Sequence, residues 1–182
     1  MDALRAARSS VYPIARIAVI LYILWRGGDL EILGSPKPAW LADISIAVGA
    51  IVVGSLIANL MLWMAALGGS PRPHYASSAA WSHSAPAAVV AGSMFTLLIA
   101  IASEVFYRGY LIRRLQTLFR STFFAVAASC VLYSVVYLQY GVVGGIVPSV
   151  LGLILALVFL KTNRLWPVIF AHYFVLMYGW LR

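Results

Sequence analysis

The stretch "ASEVFYRGYLIRRL", residues 102–115, places a glutamate and an arginine four residues apart in a run that is otherwise largely apolar. Glu104 and Arg108 lie one helical turn apart on the same face, where opposite charges neutralise each other. An unpaired charge near the centre of a bilayer costs about 2.5 to 3.5 kcal/mol on insertion scales. The pair therefore has two interpretations that its spacing leaves open: a structural ion pair within a membrane-spanning helix, or part of an intramembrane active site.

The chain as a whole is strongly apolar. Of its 182 residues, 63% are hydrophobic, and the mean hydropathy is +0.95, well above that of a soluble domain. The 13 basic residues outnumber the five acidic ones, but they cluster at the ends of apolar runs, as the positive-inside rule and anionic head groups require. We therefore predict a multi-pass protein of the inner (plasma) membrane that contacts lipid and binds no nucleic acid. The lone cysteine, Cys130, excludes an intramolecular disulfide.

Apolar runs of nearly spanning length recur along the chain, since a span needs about 20 residues. The candidates are residues 11–25, 42–67, 87–111, 122–139, 145–160 and 165–181. They predict an all-α fold, a polytopic membrane helix bundle of about six transmembrane helices, or five if residues 11–25 lie in the interface. That first segment resembles a signal-peptide core, but no small-x-small cleavage site follows it, so we retain it as a helix.

The organisation of the chain follows from these runs. Residues 68–86 are rich in Gly, Ser and Pro and indicate a loop or interfacial segment. We divide the chain into an N-terminal part, residues 1–86, and a four-helix core, residues 87–182. The basic connections at 112–120 and 161–164 are separated by an even number of spans, so they share one side, predicted to be cytoplasmic. Six spans would place the N-terminus outside and five would place it inside, and the sequence leaves this open.

Three segments of the core contain polar motifs whose order along the chain is informative. They are "SEVFYRGYL" (103–111), "SCVLYSVVYL" (129–138) and "LGLILALVFLKTNRLWPVIFAHYFVL" (151–176). Together they resemble the CPBP family of intramembrane proteases, which includes type II CAAX prenyl endopeptidases and bacteriocin-processing and immunity proteins. The family pattern is E-E-x-x-x-R, then F-x-x-x-H, then H-x-x-x-N. The resemblance implies a glutamate and two histidines that activate a water, and an asparagine that stabilises the oxyanion.

The chain departs from this pattern at three positions that carry the chemistry. The matching residues are Glu104, Arg108 and His172; Ser103 replaces the first glutamate, Tyr137 the first histidine and Leu176 the asparagine. Serine, or a tyrosine that titrates near pH 10, is no general base at neutral pH. Leucine cannot donate to an oxyanion, a loss of about 10²- to 10³-fold in comparable sites. A catalytic zinc takes three protein ligands, whereas only Glu104 and His172 remain, so we expect no metal or other cofactor.

These losses predict a catalytically inactive member of the family. We expect it to act as an accessory, stabilising or regulatory subunit of a larger membrane complex such as a transporter. The alternative is an active intramembrane endopeptidase that uses Glu104 and His172. A weaker alternative is a lipid-binding or immunity protein that uses the polar cleft directly.

Two structural expectations accompany this hypothesis. The helices that contain Glu104, Tyr137 and His172 should converge on one buried polar cluster, joined by Ser103, Tyr107 and Tyr133. Gly141, Gly145 and Ser149 follow small-x-x-x-small spacing, which predicts close helix packing in the absence of apolar burial.

Overall fold

The computed structural model describes residues 15, 18–19, 21–22, 25–26, 39–71, 73 and 86–180. Regular secondary structure within these residues is entirely helical. The elements are α1 (Trp40–Leu67), α2 (Pro86–Glu104), a π-helical segment (Val105–Leu111), α3 (Ile112–Phe119), α4 (Thr122–Val135), a 3₁₀ turn (Leu138–Tyr140), α5 (Val142–Thr162) and α6 (Trp166–Trp180). The predicted all-α fold is confirmed.

Three of the described helices are long and apolar enough to cross a membrane: Trp40–Leu67, Val89–Phe119 and Val142–Thr162. Two shorter apolar helices, Thr122–Val135 and Trp166–Tyr178, accompany them. This arrangement agrees with a polytopic helical membrane bundle. The predicted first helix, residues 11–25, lies largely outside the described residues, and so does most of the predicted segment 68–86.

The basic stretch 112–120 differs from its predicted role as a connection, because residues 112–119 form helix α3. Ile112 is fully buried and Leu115 packs beside it, so the apolar residues recur at helical spacing on one face. Arg113 and Arg114 lie beside this apolar face of α3, where long side chains keep their charge near water. Arg120 ends the helix in the left-handed conformation, with φ +52°.

Helix α5 contributes to both main clusters of buried side chains. One cluster joins α1, α5 and α6 through Ala47, Ala50, Leu155, Phe159, Val168 and Ala171. The other joins α3, α4 and α5 through Ile112, Ala125, Val126 and Ala156. Small residues allow the backbones to approach closely, which matters where lipid removes the hydrophobic drive for helix association. A Cβ added at Gly54 of α1, for example, would lie 3.2 Å from Leu151 Cδ1.

The small residues at the start of α5 have different surroundings. A Cβ at Gly145 would come within 2.5 Å of Leu138 Cδ2 and 3.7 Å of the Ser134 carbonyl oxygen, so Gly145 lies close to the preceding 3₁₀ turn and to the end of α4. Gly141 has φ +88°, and its added Cβ would meet nothing within 4 Å; it serves the turn into α5 instead of helix packing. Ser149 Oγ donates to the Gly145 carbonyl at 3.2 Å, within the same helix.

The two basic connections meet at one end of the bundle, as predicted. The Arg113 guanidinium donates to Asn163 Oδ1, and its Cζ lies 5.3 Å from the Phe159 ring centroid. We call this end the basic end; its cations are Arg113, Arg114, Arg120, Lys161 and Arg164.

An ion pair fixes the start of α1 at the basic end. Asp43 is fully buried, and its Oδ2 accepts from Arg164 Nη2 at 2.9 Å and from the Ala39 N–H at 2.8 Å. The rings of Trp40 and Trp166 lie 5.8 Å apart beside it. Helix α1 therefore leaves the basic end, α2 to α3 return to it, and α4, α5 and α6 continue the alternation.

Candidate functional site

Glu104 and Arg108 occupy the middle of a membrane-length helix. Glu104 lies at the midpoint of Val89–Phe119, fifteen residues from either end, and its side chain is 0% exposed. The π-helical segment Val105–Leu111 begins immediately after it and carries Arg108, which is 1% exposed. Such segments are rare and occur frequently at functional sites.

The Glu104 carboxylate has two partners on one oxygen. Oε1 accepts from Arg108 Nη1 at 3.0 Å and lies 2.6 Å from His172 Nδ1. Arg108 and Glu104 balance each other in charge, so a neutral His172 leaves the group without net charge; its Nδ1–H then donates to Oε1. The second carboxylate oxygen, Oε2, is buried and has no hydrogen-bond partner in the structure.

Arg108 is held from two other helices. Its Nη2 donates to the Gly152 carbonyl of α5 at 3.2 Å, and its Cζ lies 4.7 Å from the ring centroid of Tyr133 in α4. A Cβ at Gly152 would lie 3.1 Å from Tyr133 Cδ1 and 3.4 Å from Arg108 Nη2. Glycine at this position therefore makes room for the arginine and the tyrosine together.

His172 is engaged at both ring nitrogens. The Tyr133 hydroxyl lies 3.3 Å from Nε2, on the side of the ring opposite Glu104, and the two rings meet edge to face. His172 is only 2% exposed. Glutamate, arginine, histidine and tyrosine thus form a closed cluster that joins α2 and the π-helical segment to α4, α5 and α6.

Tyr137 joins this cluster through Tyr133. Their ring centroids lie 5.5 Å apart. The predicted convergence of the helical segments that carry Glu104, Tyr137 and His172 is therefore observed. Tyr137 itself lies just beyond the end of α4, at the start of the 3₁₀ turn.

The remaining predicted positions lie around the cluster. Ser103 is buried beside Glu104 in sequence, and Leu176 is partly buried one turn after His172. Tyr107 is buried; its ring packs edge to face on Tyr133 at 5.2 Å, and its carbonyl accepts from Ser129 Oγ at 3.0 Å.

Sequence reasoning missed Gly152 and the pair formed by Asp43 and Arg164. A glycine inside an apolar helix costs about 0.5 to 1 kcal/mol relative to alanine, which was an available signal for Gly152. For Asp43, the signal was an acidic residue at the start of a membrane-length apolar run.

The donor set of the cluster does not fit a catalytic zinc. Such a site takes three protein ligands and keeps a position open for water. Glu104 and His172 offer two, and both nitrogens of the histidine are engaged by protein groups. Among the described residues, no group of three His, Cys, Asp or Glu side chains is placed to hold a metal.

Comparison with known protein families gives a match over half of the chain. The family model described as type II CAAX prenyl endopeptidase Rce1-like matches residues 85–177, a range that contains the whole cluster. No curated protein and no solved structure matches the chain.

Proposed function

The chain belongs to the Rce1-like family of type II CAAX prenyl endopeptidases, and from this premise we propose that it has lost peptidase activity. It keeps the membrane scaffold of the family and three of its motif side chains. The positions of Ser103, Tyr137 and Leu176 no longer provide the carboxylate, imidazole and amide of the family pattern. We propose that the protein works as a non-catalytic subunit of a larger membrane complex, such as a transporter.

The observation that supports this proposal is that both ring nitrogens of His172 contact protein groups. A general base must hold its water within hydrogen-bond reach. Here Nδ1 faces Glu104 at 2.6 Å and Nε2 faces the Tyr133 hydroxyl at 3.3 Å. The imidazole would have to break a protein contact before it received a proton from water, and the lost first histidine is replaced by a tyrosine that packs on the same Tyr133.

The retained residues have a structural use that requires no chemistry. Arg108 reaches a carbonyl of α5, His172 brings in α6, and Tyr133 brings in α4. A buried cluster of this kind fixes the relative positions of several helices in lipid, where apolar burial does not. The fixed outer faces of the bundle are then the surfaces on which a partner docks.

Purification of the tagged protein from native membranes in a mild detergent tests the accessory role. We expect a defined set of membrane proteins to copurify in constant ratio, and to be lost with Glu104→Ala, which disrupts the cluster. Asp43→Asn is the matched carboxylate control outside the cluster. Recovery of the tagged chain with lipid alone would contradict the accessory role.

An active peptidase is the second candidate, and the free Oε2 atom of Glu104 favours it, because this oxygen is available to accept a proton from water. Restoring the family residues with Ser103→Glu, Tyr137→His and Leu176→Asn separates the candidates. If the protein has lost peptidase activity, the wild type should not cleave a prenylated peptide, and only the restored triple variant should cleave it. An active wild type predicts cleavage before any restoration.

A further inference from the structure

The hydroxyl of Ser129 is used differently from those of most serines and threonines in the described helices. Their usual hydrogen bond is to a carbonyl three or four residues earlier in the same helix, as at Ser45, Thr96, Thr117, Ser134, Ser149 and Thr162. Ser129, on α4, instead donates to the Tyr107 carbonyl of the π-helical segment at 3.0 Å. Because Ser129 is only 2% exposed, this is a buried hydrogen bond between two helices.

The Tyr107 carbonyl also helps to define the π-helical register. It accepts from the Ile112 N–H, five residues later, whereas in an α-helix it would accept from the Leu111 N–H. A carbonyl oxygen has two lone pairs, so it is able to accept from Ile112 and from Ser129 together. A return to the α-helical register would move this carbonyl relative to α4. The bond from Ser129 therefore favours the π register.

The π register brings buried residues on both sides of the segment into line. Glu104, Arg108 and Ile112 follow one another at intervals of four residues and are 0%, 1% and 0% exposed. In an α-helix, neighbouring residues are about 100° apart, so three positions at this interval spread over about 80° around the axis. A turn that closes on the fifth residue holds more residues, which makes this spread smaller. The wider turn therefore keeps the ion pair and Ile112 on one face.

We propose that Ser129 is a positioning residue for the buried cluster, because its hydroxyl holds the segment Val105–Leu111 in the π register. This register sets Glu104 against His172 at 2.6 Å and, in the same continuous helix, sets Ile112 of α3 against α4 and α5. A change of register would turn α3 relative to Glu104. Ser129 thus couples the geometry of the cluster to the packing of α3 at the basic end, whether or not the protein is a peptidase.

Amide hydrogen exchange and ¹⁵N NMR of the histidine ring test this role in the purified protein in detergent micelles. Ser129→Ala removes the donor, and Ser129→Thr retains a hydroxyl. Ser134→Ala is the matched control, because Ser134 lies on the same helix, is 9% exposed and donates within that helix at 2.9 Å. The chain has three histidines, so all variants are made in a background with His74→Gln and His83→Gln, where His172 is observed alone.

Ser129→Ala should raise amide exchange about five-fold across both the π-helical segment and α3, the factor that corresponds to one buried hydrogen bond, and should shift the His172 ring signals. Ser129→Thr and Ser134→Ala should match the parent protein in both measurements. Faster exchange confined to residues 105–111, with unchanged His172 signals, would make the bond a local contact and overturn the proposal. Equal effects of the two alanine variants, or a threonine variant that behaves like Ser129→Ala, would overturn it as well.

Discussion

Arg108 and Glu104 differ in what happens when each loses its partner. A buried arginine cannot give up its proton, so Glu104→Ala leaves a permanent charge beside the Gly152 carbonyl and the rings of Tyr107 and Tyr133. Arg108→Ala leaves a carboxylate that still has His172 at 2.6 Å, and this carboxylate is able to take up a proton. We therefore predict that Glu104→Ala is the more damaging change.

Breaking a buried ion pair costs about 3 to 5 kcal/mol in soluble proteins. Both side chains here are at most 1% exposed, so Glu104→Ala should cost an amount in this range, more than a hundredfold in the ratio of folded to unfolded protein. Arg108→Ala should cost less. The double variant Glu104→Gln with Arg108→Met leaves no orphan charge, and its glutamine still accepts from the His172 ring, so it should recover most of the loss.

The assay compares membrane abundance and resistance to unfolding in detergent for wild type, both single variants and the double variant. The predicted order of stability is wild type, double variant, Arg108→Ala and Glu104→Ala. Normal abundance and stability of Glu104→Ala, or a double variant no better than the worse single variant, would refute the structural role of the pair.

Three further substitutions test neighbouring contacts by unfolding in detergent. Gly152→Ala should destabilise by about 1 to 3 kcal/mol through overpacking, whereas Gly49→Ala, whose added Cβ meets nothing within 4 Å, should stabilise its helix by about 0.5 to 1 kcal/mol; equal effects would contradict the packing at Gly152. Arg164→Gln should be worse than Asp43→Asn, because the first leaves a fully buried carboxylate and the second leaves an arginine side chain that is 20% exposed; the reverse order would disprove this. Tyr133→Phe should cost only about 1 kcal/mol, since the ring stays over the guanidinium, and a loss above 3 kcal/mol would show that the hydroxyl does more than bind the histidine.

Patterns in the sequence predict the positions of most helices and the contact between the two central side chains of the site. Apolar runs located α1, α4, α5 and α6 to within a few residues, because lipid requires long uninterrupted segments. The order of the family motifs predicted that Glu104 and His172 meet, although they are 68 residues apart in the chain.

Other features of the site depend on contacts that cannot be recognised in the amino-acid sequence. Arg108 binds a backbone carbonyl 44 residues away, and any residue type carries such a carbonyl. Helix α3 is predicted as a connection because its arginines outweigh the helical spacing of Ile112, which the structure buries, and Leu115, which it buries in part.

The loss of peptidase activity is tested by incubating a prenylated peptide with the purified protein reconstituted in lipid vesicles, with a proven type II CAAX endopeptidase as positive control. We expect no product from wild type, none from Glu104→Gln, and none from the matched carboxylate variant Asp43→Asn, while the positive control cleaves under the same conditions. Cleavage by wild type and Asp43→Asn that disappears in a folded Glu104→Gln variant would show that the protein is an active peptidase and establish Glu104 as a catalytic residue.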